Sequence, residues 1–363
     1  MNIIVLAGGL SPERNVSLSS GSLISAALRR KGHKILMLDV YEGICGADIP
    51  ADPLELFTTD NSESLAVGNI APTPEEIENI KIKNNGRTEL IGPNVLKLCK
   101  LADVAFLALH GDMGENGQLQ ATLDVFDVTY TGSGYIGSLL AMNKDIAKKL
   151  MRENGILTPD WINFDQFGDE DKINSAAQKI GFPCIVKPCS CGSSVGVSIV
   201  NTEDELRDAL KVASQYEGSV LIEKHISGRE LTQAILDGEA LPPVEIIPKC
   251  GFYDYANKYV ANATEEICPA PINDSLRKKI DGIYHCRYSS YSNHSQGIAE
   301  SSLKHGQHRS YGVCGQGYCH ILVKSHTPEH LKKTDSSNDR YSYRKYPSVR
   351  KPHYRYENAQ GDY

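Results

Sequence analysis

At 363 residues the chain is long enough for two or three domains, and 40% apolar and 23% charged residues are typical of a globular protein. No stretch approaches the roughly 18–20 unbroken apolar residues of a membrane span, so we expect no membrane association. The apolar start at Asn2–Ala7 has no basic flank, which indicates a first strand and not a signal peptide, and therefore the cytoplasm. The ten cysteines lack metal-ligand spacing, and we interpret them as free thiols.

The amino-acid composition and the net charge change near Asp281. Residues 1–281 carry a net charge of −13, whereas residues 282–363 carry +6 and hold 8 of the 11 histidines, 11 of the 18 tyrosines and no phenylalanine. A segment so poor in aliphatic residues buries too little surface to offset its ordering entropy, so a disordered tail is predicted. Its histidines lack ligand spacing and its basic charge has no nucleic-acid motif, so we expect neither metal nor nucleic-acid binding there.

The first part of the chain alternates strand and helix patterns. Strands are predicted at Asn2–Ala7, Lys34–Asp39 and 101–109, and helices at 17–30 and 119–126. This alternation, with Gly-rich strand ends, predicts a parallel α/β sheet wound with helices. The stretch 43–94 has weak periodicity and many Pro, Asn and Asp residues, which indicates an irregular insertion.

The patterns that follow predict a smaller α+β lobe. Helices are predicted at 142–154 and 202–215, and strands at 182–187, 197–200, 219–223 and 229–236. Thr202 followed by Glu205 is a helix-start signature. The loop at 192–196, between two of these strands, is rich in Gly and Ser.

Three segments of this lobe carry chemistry. Lys187 ends a buried strand, where a charge is expected to meet an anion, and the Gly/Ser loop after it offers backbone N–H groups for phosphate; the alternative is an ordinary hairpin loop. Glu223 and Glu230 are placed to accept from ribose hydroxyls, or else are solvated charges at a strand turn. The aromatic segment 251–259 is predicted to be a loop that closes over a ligand, or one pinned only by aromatic packing.

In this order, the three segments resemble the ATP-grasp ligases, and other motifs narrow the resemblance to the D-alanine–D-alanine ligase family. The motifs are the segments 8–17, 110–117, 130–134, 142–144, 253–259 and 268–270. Each is weak alone, but together they are specific over about residues 1–280. The resemblance implies an N-terminal parallel α/β domain at 1–141, an incomplete ATP-grasp domain at 142–281 and a non-matching tail at 282–363.

Members of this family use ATP to phosphorylate one D-alanine on its carboxylate, and the amine of a second D-alanine attacks the acyl phosphate, which supplies a peptidoglycan precursor. By resemblance, Glu13 would hold the first ammonium and order the closing loop with Ser193 and Tyr259, while His110 would line the same pocket. The implied nucleotide contacts are Lys144 and Lys187 to the inner phosphates, Lys258 to the outer ones, and Glu223, Lys224, Ile226 and Glu230 to the nucleoside. Tyr259 implies the dipeptide product, because relatives that make the D-lactate ester lack it.

Two of these residues also have purely structural alternatives. Glu13 completes a good helix N-terminus after Ser11 and Pro12, and His110 follows a predicted strand. The resemblance further implies a homodimer.

The resemblance fails after Lys279. The Arg-x-Asp and Glu-x-Asn strands, which bind magnesium in the family, do not appear between Asp281 and Tyr363. Two hypotheses therefore stand. One is an active ligase that uses ATP and Mg²⁺. The other is an inactive nucleotide- or D-alanine-binding remnant whose C-terminus arises from a change of reading frame near Asp281.

Overall fold

The computed structural model describes residues 1–60, 71–164, 170–236, 239–282 and 321–323. All of them belong to one unit, Met1–Ser325. Of the predicted tail, the structure thus describes Gly282 and 321–323. The hypotheses of disorder and of a changed reading frame otherwise lie outside the described residues.

The first sheet is built from three short apolar strands, β1 (Asn2–Ala7), β2 (Lys34–Asp39) and β3 (Val104–Leu107). They run parallel in the order β2-β1-β3. Ile4, Val5 and Leu6 of the central strand are fully buried, as expected of a strand covered on both faces. The predicted parallel sheet is confirmed, although its third strand is shorter than the predicted 101–109.

Five α-helices accompany these strands among the described residues up to Met142. They are α1 (Arg14–Arg30), α2 (Pro74–Lys83), α3 (Val95–Cys99), α4 (Gln118–Val125) and α5 (Tyr135–Met142). The first packs on β1 and β2 and places its N-terminus at the carboxyl end of β1. Within the described ranges, no helix is both long and apolar enough to cross a membrane.

The prediction of an irregular insertion at 43–94 is wrong over α2. Thr73 caps this helix: its Oγ1 accepts from the backbone N–H of Glu76 at 3.2 Å, and the Glu76 carboxylate accepts from the N–H of Thr73 at 2.7 Å. This reciprocal pair satisfies two N–H groups that a helix start otherwise leaves unbonded. The signal was present in the sequence as Thr-Pro-Glu-Glu, but the weak periodicity masked it.

The second sheet belongs to the smaller lobe. Its elements are α6 (Lys144–Glu153), β4 (Trp161–Phe164), α7 (Glu170–Ile180), β5 (Cys184–Pro188), β6 (Ser198–Val200), α8 (Glu203–Ser214) and β7 (Val220–Lys224). The strands pair antiparallel in the order β4-β7-β5-β6, and α7 and α8 pack on them. The helix predicted at 142–154 begins at Lys144, because Asn143 Oδ1 caps it by accepting from the N–H of Ile146.

The third sheet is also antiparallel. Its strands are β8 (Arg229–Thr232), β11 (Val244–Pro248), β12 (Thr264–Ile267) and β13 (Ile321–Val323), in the order β12-β11-β8-β13. The strand predicted at 229–236 is divided, since β9 (Ile235–Leu236) pairs instead with β10 (Glu239–Ala240). Leu231, Ala270 and Ile280 form the apolar cluster of this lobe.

The predicted aromatic loop contains one short helix, α9 (Tyr255–Tyr259). Asp254 caps it by accepting from the backbone N–H of Asn257 at 2.8 Å. The Asn257 side chain in turn donates to the carbonyls of Cys250 and Phe252 at 2.9 and 2.8 Å. These bonds fix the backbone, so the segment presents Lys258 and Tyr259 from an ordered turn.

Candidate active site

A carboxylate, a hydroxyl and a phenol from three distant segments meet in the interior. Glu13 lies immediately before α1, is 2% exposed and accepts a hydrogen bond from Ser193 Oγ. Ser193 Oγ is also 2.5 Å from Tyr259 Oη, which lies on α9. The structure therefore brings together the three residues that the sequence names as a network. Glu13 makes no side-chain cap to α1, so starting the helix does not account for its burial.

Glycines allow the backbone to approach the Glu13 carboxylate from two sides. A Cβ at Gly111 would lie 2.6 Å from Glu13 Oε2, and a Cβ at Gly192 would lie 2.5 Å from the same atom. Both distances are far inside van der Waals contact, so a side chain at either position would displace Glu13. Gly111 and Gly192 are thus explained by the space around one carboxylate.

A second buried acid lies close to Glu13, and the sequence reasoning missed it. Both carboxylate oxygens of Glu115 are buried with no side-chain hydrogen-bond partner among the described residues, and the nearby backbone of Gly111 only partly compensates. Burial raises the pKa of Glu115 well above its ordinary value, and the charge of Glu13 raises it further. Burial also raises the pKa of Glu13, against the opposing effects of Ser193 and Lys258. At this end of the site, burial of the two acids therefore outweighs the charges of the nearby lysines Lys144 and Lys258.

His110 lies just beyond β3 and is held against α1. Its Nε2 is 3.0 Å from Ser20 Oγ, and its backbone carbonyl accepts from Ser11 Oγ at 2.6 Å. Burial lowers the pKa of His110 to about 4, so the ring is neutral near pH 7. His110 thus lies at the end of a strand, which agrees with the structural alternative given for it from the sequence. Its backbone is also bonded, through Ser11, to the segment that carries Glu13.

Lys144, the first residue of α6, is bonded to the Gly/Ser loop. Its Nζ donates to the carbonyl of Cys191 at 2.6 Å and to that of Cys189 at 3.2 Å. Burial, and next the charge of Lys187, lower the pKa of Lys144 to about 8. A buried ammonium beside a loop of backbone N–H groups is a suitable site for phosphate.

Lys187 and Glu223 form an ion pair across neighbouring strands. Lys187 Nζ contacts Glu223 Oε1, while Lys148 of α6 lies 2.9 Å from Glu223 Oε2. Burial raises the pKa of Glu223, but the charges of Lys187 and Lys148 outweigh burial, and the pKa lies below its ordinary value. The sequence predicted Lys187 and Glu223 for this site and missed Lys148.

The remaining predicted residues divide between the buried group and the surface. Lys258 lies 5.1 Å from the centroid of the Tyr253 ring, and burial lowers its pKa while the charges of Glu13 and Glu230 oppose that effect. It therefore lies within electrostatic reach of both ends of the site. Lys224 ends β7 with an exposed side chain, so the structure does not bring it into the buried group, and Ile226 lies half-buried in the connection after it.

Apolar contacts close the three segments on one another. Val16 of α1, Val195 of the Gly/Ser loop and Tyr255 of α9 form one buried cluster, with Tyr259 packed against it. The Tyr255 and Tyr259 rings are 4.8 Å apart between centroids. This packing holds α9 over the carboxylate of Glu13 and limits the access of water.

The described residues do not provide a magnesium site. No group of three or more His, Cys, Asp or Glu side chains in those ranges is arranged to hold a metal ion. The carboxylates of the site are instead bonded to lysines or to a hydroxyl, or lie buried against each other. The Mg²⁺ that the resemblance implies thus has no ligand set among them.

The antiparallel sheet with its lysine-bearing strand, the Gly/Ser loop and the closing aromatic segment define a ligase of the ATP-grasp class. The chain belongs to the D-alanine–D-alanine ligase family, whose models for the "D-ala D-ala ligase N-terminus" and "D-ala D-ala ligase C-terminus" match residues 2–133 and 150–294. The second match runs past Asp281, so the resemblance extends further than the sequence motifs indicate. Matches to both halves do not favour the alternative of an inactive remnant.

Relatives and solved structures agree with this assignment. The D-alanine–D-alanine ligase of Lacticaseibacillus casei is 39% identical over 74% of this chain and 73% of its own, and that of Pediococcus pentosaceus is 39% identical over 77% and 78%. The crystal structure of the Bacillus anthracis D-alanine–D-alanine ligase is 31% identical with a TM-score of 0.56, covering 80% and 79%. The VanG D-Ala:D-Ser ligase of Enterococcus faecalis is 25% identical with a TM-score of 0.54, covering 80% and 82%.

Proposed function

We propose that this chain joins two D-alanines to D-alanyl-D-alanine through an acyl phosphate, at the expense of ATP and for peptidoglycan precursor synthesis. The observation that carries the proposal is the buried link from Glu13 through Ser193 to Tyr259. It joins the buried carboxylate of Glu13 to the Gly/Ser loop that carries Ser193. Because ATP is the co-substrate, we place the reaction in the cytoplasm, and the family resemblance favours a homodimer.

At the substrate end, Glu13 binds the ammonium of the first D-alanine, with His110 beside it. An ammonium adds positive charge beside the buried acids Glu13 and Glu115. Ser193 and Tyr259 hold the closing segment in place and orient the second D-alanine, whose free amine attacks the acyl phosphate. Tyr259 thereby favours an amine over a hydroxyl as the attacking group.

At the nucleotide end, Lys144 and Lys187 bind the inner phosphates and Lys258 binds the outer ones. The nucleoside is held by Glu223, Lys224, Ile226 and Glu230. The two glutamates contact it through their carboxylates. Positioning and charge neutralisation of this kind are the main contributions of protein groups to phosphoryl transfer. A Bacillus anthracis relative has been solved complexed with ATP. We assign these contacts to the domain at 142–281 and the substrate pocket chiefly to the domain at 1–141.

Phosphate release from ATP, measured with D-alanine and magnesium present, tests the proposal. We expect release that depends on D-alanine, together with D-alanyl-D-alanine detected by mass spectrometry. Glu13→Gln should lower kcat/KM for D-alanine by at least about tenfold, since a charged hydrogen bond to the ammonium is lost. ATP binding without any D-alanine-dependent release would instead support the non-catalytic remnant.

A further inference from the structure

Lys148 is a buried lysine for which the roles above give no use. It lies one helical turn after Lys144 on α6 and is 6% exposed. Its Nζ is 2.9 Å from Glu223 Oε2, donates to Thr158 Oγ1 at 2.7 Å and lies 5.0 Å from the centroid of the Trp161 ring. Carboxylate, hydroxyl and aromatic face together satisfy a buried ammonium, so Lys148 is held on all sides.

Lys187, the other partner of Glu223, is held much less firmly. It contacts Glu223 Oε1, and its side chain is 19% exposed against 7% for that of Lys148. Among the described residues, Glu223 is the hydrogen-bond partner that the structure gives to its Nζ. It also lies at the end of β5, next to the Gly/Ser loop. Lys187 is therefore the lysine of the pair that is placed to leave.

Phosphate binding must compete for Lys187. In the structure, this lysine is paired with Glu223, whereas the proposed function needs it on a phosphate of ATP. Its departure would leave the buried Glu223 without a counter-charge if no second cation were present, and an unpaired buried carboxylate is strongly unfavourable. Lys148 supplies that second cation from the opposite oxygen.

We propose that Lys148 is a positioning residue that keeps Glu223 neutralised and oriented, so that Lys187 is free to exchange from Glu223 to the phosphates of ATP. The inference rests on the proposed function and deepens it. Lys148 itself touches no phosphate in this scheme. Its effect on ATP is transmitted through Glu223 and Lys187.

The chain contains a built-in reporter for this exchange. Trp161 is the single tryptophan of the sequence, and its indole lies against Lys148 and, at 4.3 Å, against Arg152. Its fluorescence can therefore be followed without other tryptophan signals. Titration of the full chain with ATP and, separately, with adenosine gives two affinities, one with phosphates and one without.

Lys148→Met should weaken ATP binding by about tenfold or more, because Glu223 then retains Lys187. Adenosine binding should change far less, since adenosine has no phosphate to draw Lys187 away, and Glu223 then keeps Lys187 as its counter-charge beside the nucleoside. Lys148→Arg should restore most of the ATP affinity. Lys211→Met removes an exposed lysine of the same lobe, paired with Asp208 at 3.0 Å, and should leave both affinities unchanged.

Equal loss of ATP and adenosine affinity in Lys148→Met would show a merely structural role and overturn the inference, as would no loss of either. If that variant does not fold, Thr158→Val keeps the charge but removes one support of Lys148. Thr158→Val should then show a smaller loss of affinity that is confined to ATP. An ATP affinity equal to that of the wild type would again overturn the inference. A wild-type chain that does not respond to ATP contradicts the proposed function itself, which separates the two failures.

Discussion

The two ends of the site balance charge in opposite ways. At the nucleotide end, Glu223 lies between two lysines, and all three side chains are largely buried and paired. At the substrate end, Glu13 and Glu115 are buried near each other, and neither oxygen of Glu115 has a side-chain hydrogen-bond partner in the described part of the chain. One end is thus neutralised by its own lysines, whereas in the proposed function the other end gains a counter-charge from the ammonium of D-alanine. The charges of the nucleotide end are therefore arranged in advance, whereas the charge balance of the substrate end depends on the substrate.

The largest effect is expected from removing the central charge of the nucleotide end. Glu223→Gln leaves Lys148 and Lys187 as buried cations with no counter-charge, and we expect a loss of about 3–5 kcal/mol in the free energy of unfolding. Urea denaturation measures it. Glu203→Gln, which breaks the exposed pair with Arg207, is the control and should change stability by less than about 0.5 kcal/mol. Similar losses in both variants would mean that the buried network is not neutralised as described.

At the substrate end, removing a charge should stabilise the protein, whereas Glu223→Gln destabilises it. The pKa of Glu115 is higher in the folded protein than its ordinary value of 4.5, so the folded chain holds a proton that the unfolded chain releases. Its contribution to stability is therefore present below pH 4.5 and is lost as the pH rises through the folded pKa. Glu115→Gln should remove that loss and stabilise the protein at alkaline pH by about 1–3 kcal/mol.

Melting temperatures of wild type and Glu115→Gln across a pH series test this prediction. The difference should grow from acid to alkaline conditions. Glu265→Gln changes an exposed glutamate on β12 and should give a difference that is small at every pH. A destabilised Glu115→Gln at alkaline pH would show that the ionised carboxylate has a partner, and the contrast between the two ends would then fail.

The smallest effect concerns the phenol that closes the substrate end. Tyr259→Phe removes the 2.5 Å contact with Ser193 Oγ and should cost about 1 kcal/mol of stability. It should also raise the share of ester when D-lactate competes with D-alanine, because the closing segment is held less firmly.

Tyr255→Phe is a matched control for that experiment. Tyr255 lies on the same helix and is buried, but its hydroxyl has no hydrogen-bond partner among the described residues. Its removal should leave both the product ratio and the stability almost unchanged. If both variants shift the ratio equally, the hydroxyl of Tyr259 is not the group that selects the amine.

Sequence motifs predicted the residues that are recognisable by order and spacing, and the family they indicate is confirmed. Glu13, Ser193 and Tyr259 meet in the structure, whereas their functional roles stay predictions. Lys148 was missed because a lysine on an amphipathic helix is ordinarily solvated, and only the fold brings Thr158 and Trp161 against it. Glu115 was hidden in a motif noted for its glycines.

Two of the helices that the sequence did not predict, α9 and α2, were missed for different reasons. α9 has five residues, too few for a helical period to appear, and hydrogen bonds of Asp254 and Asn257 hold it in place. α2 had a clear capping signature but lay in a stretch whose apolar pattern is weak. Local hydrogen bonds decide such short elements more than hydrophobic periodicity does.

The long sequence separation within the site has a consequence for biosynthesis. Ser193 lies 180 residues after its partner Glu13, and Tyr259 lies 66 residues after Ser193. A nascent chain on the ribosome can fold β1 and α1 early, yet Glu13 has no Ser193 to bond until most of the second sheet has been translated. The site therefore cannot be completed before Tyr259 has been translated.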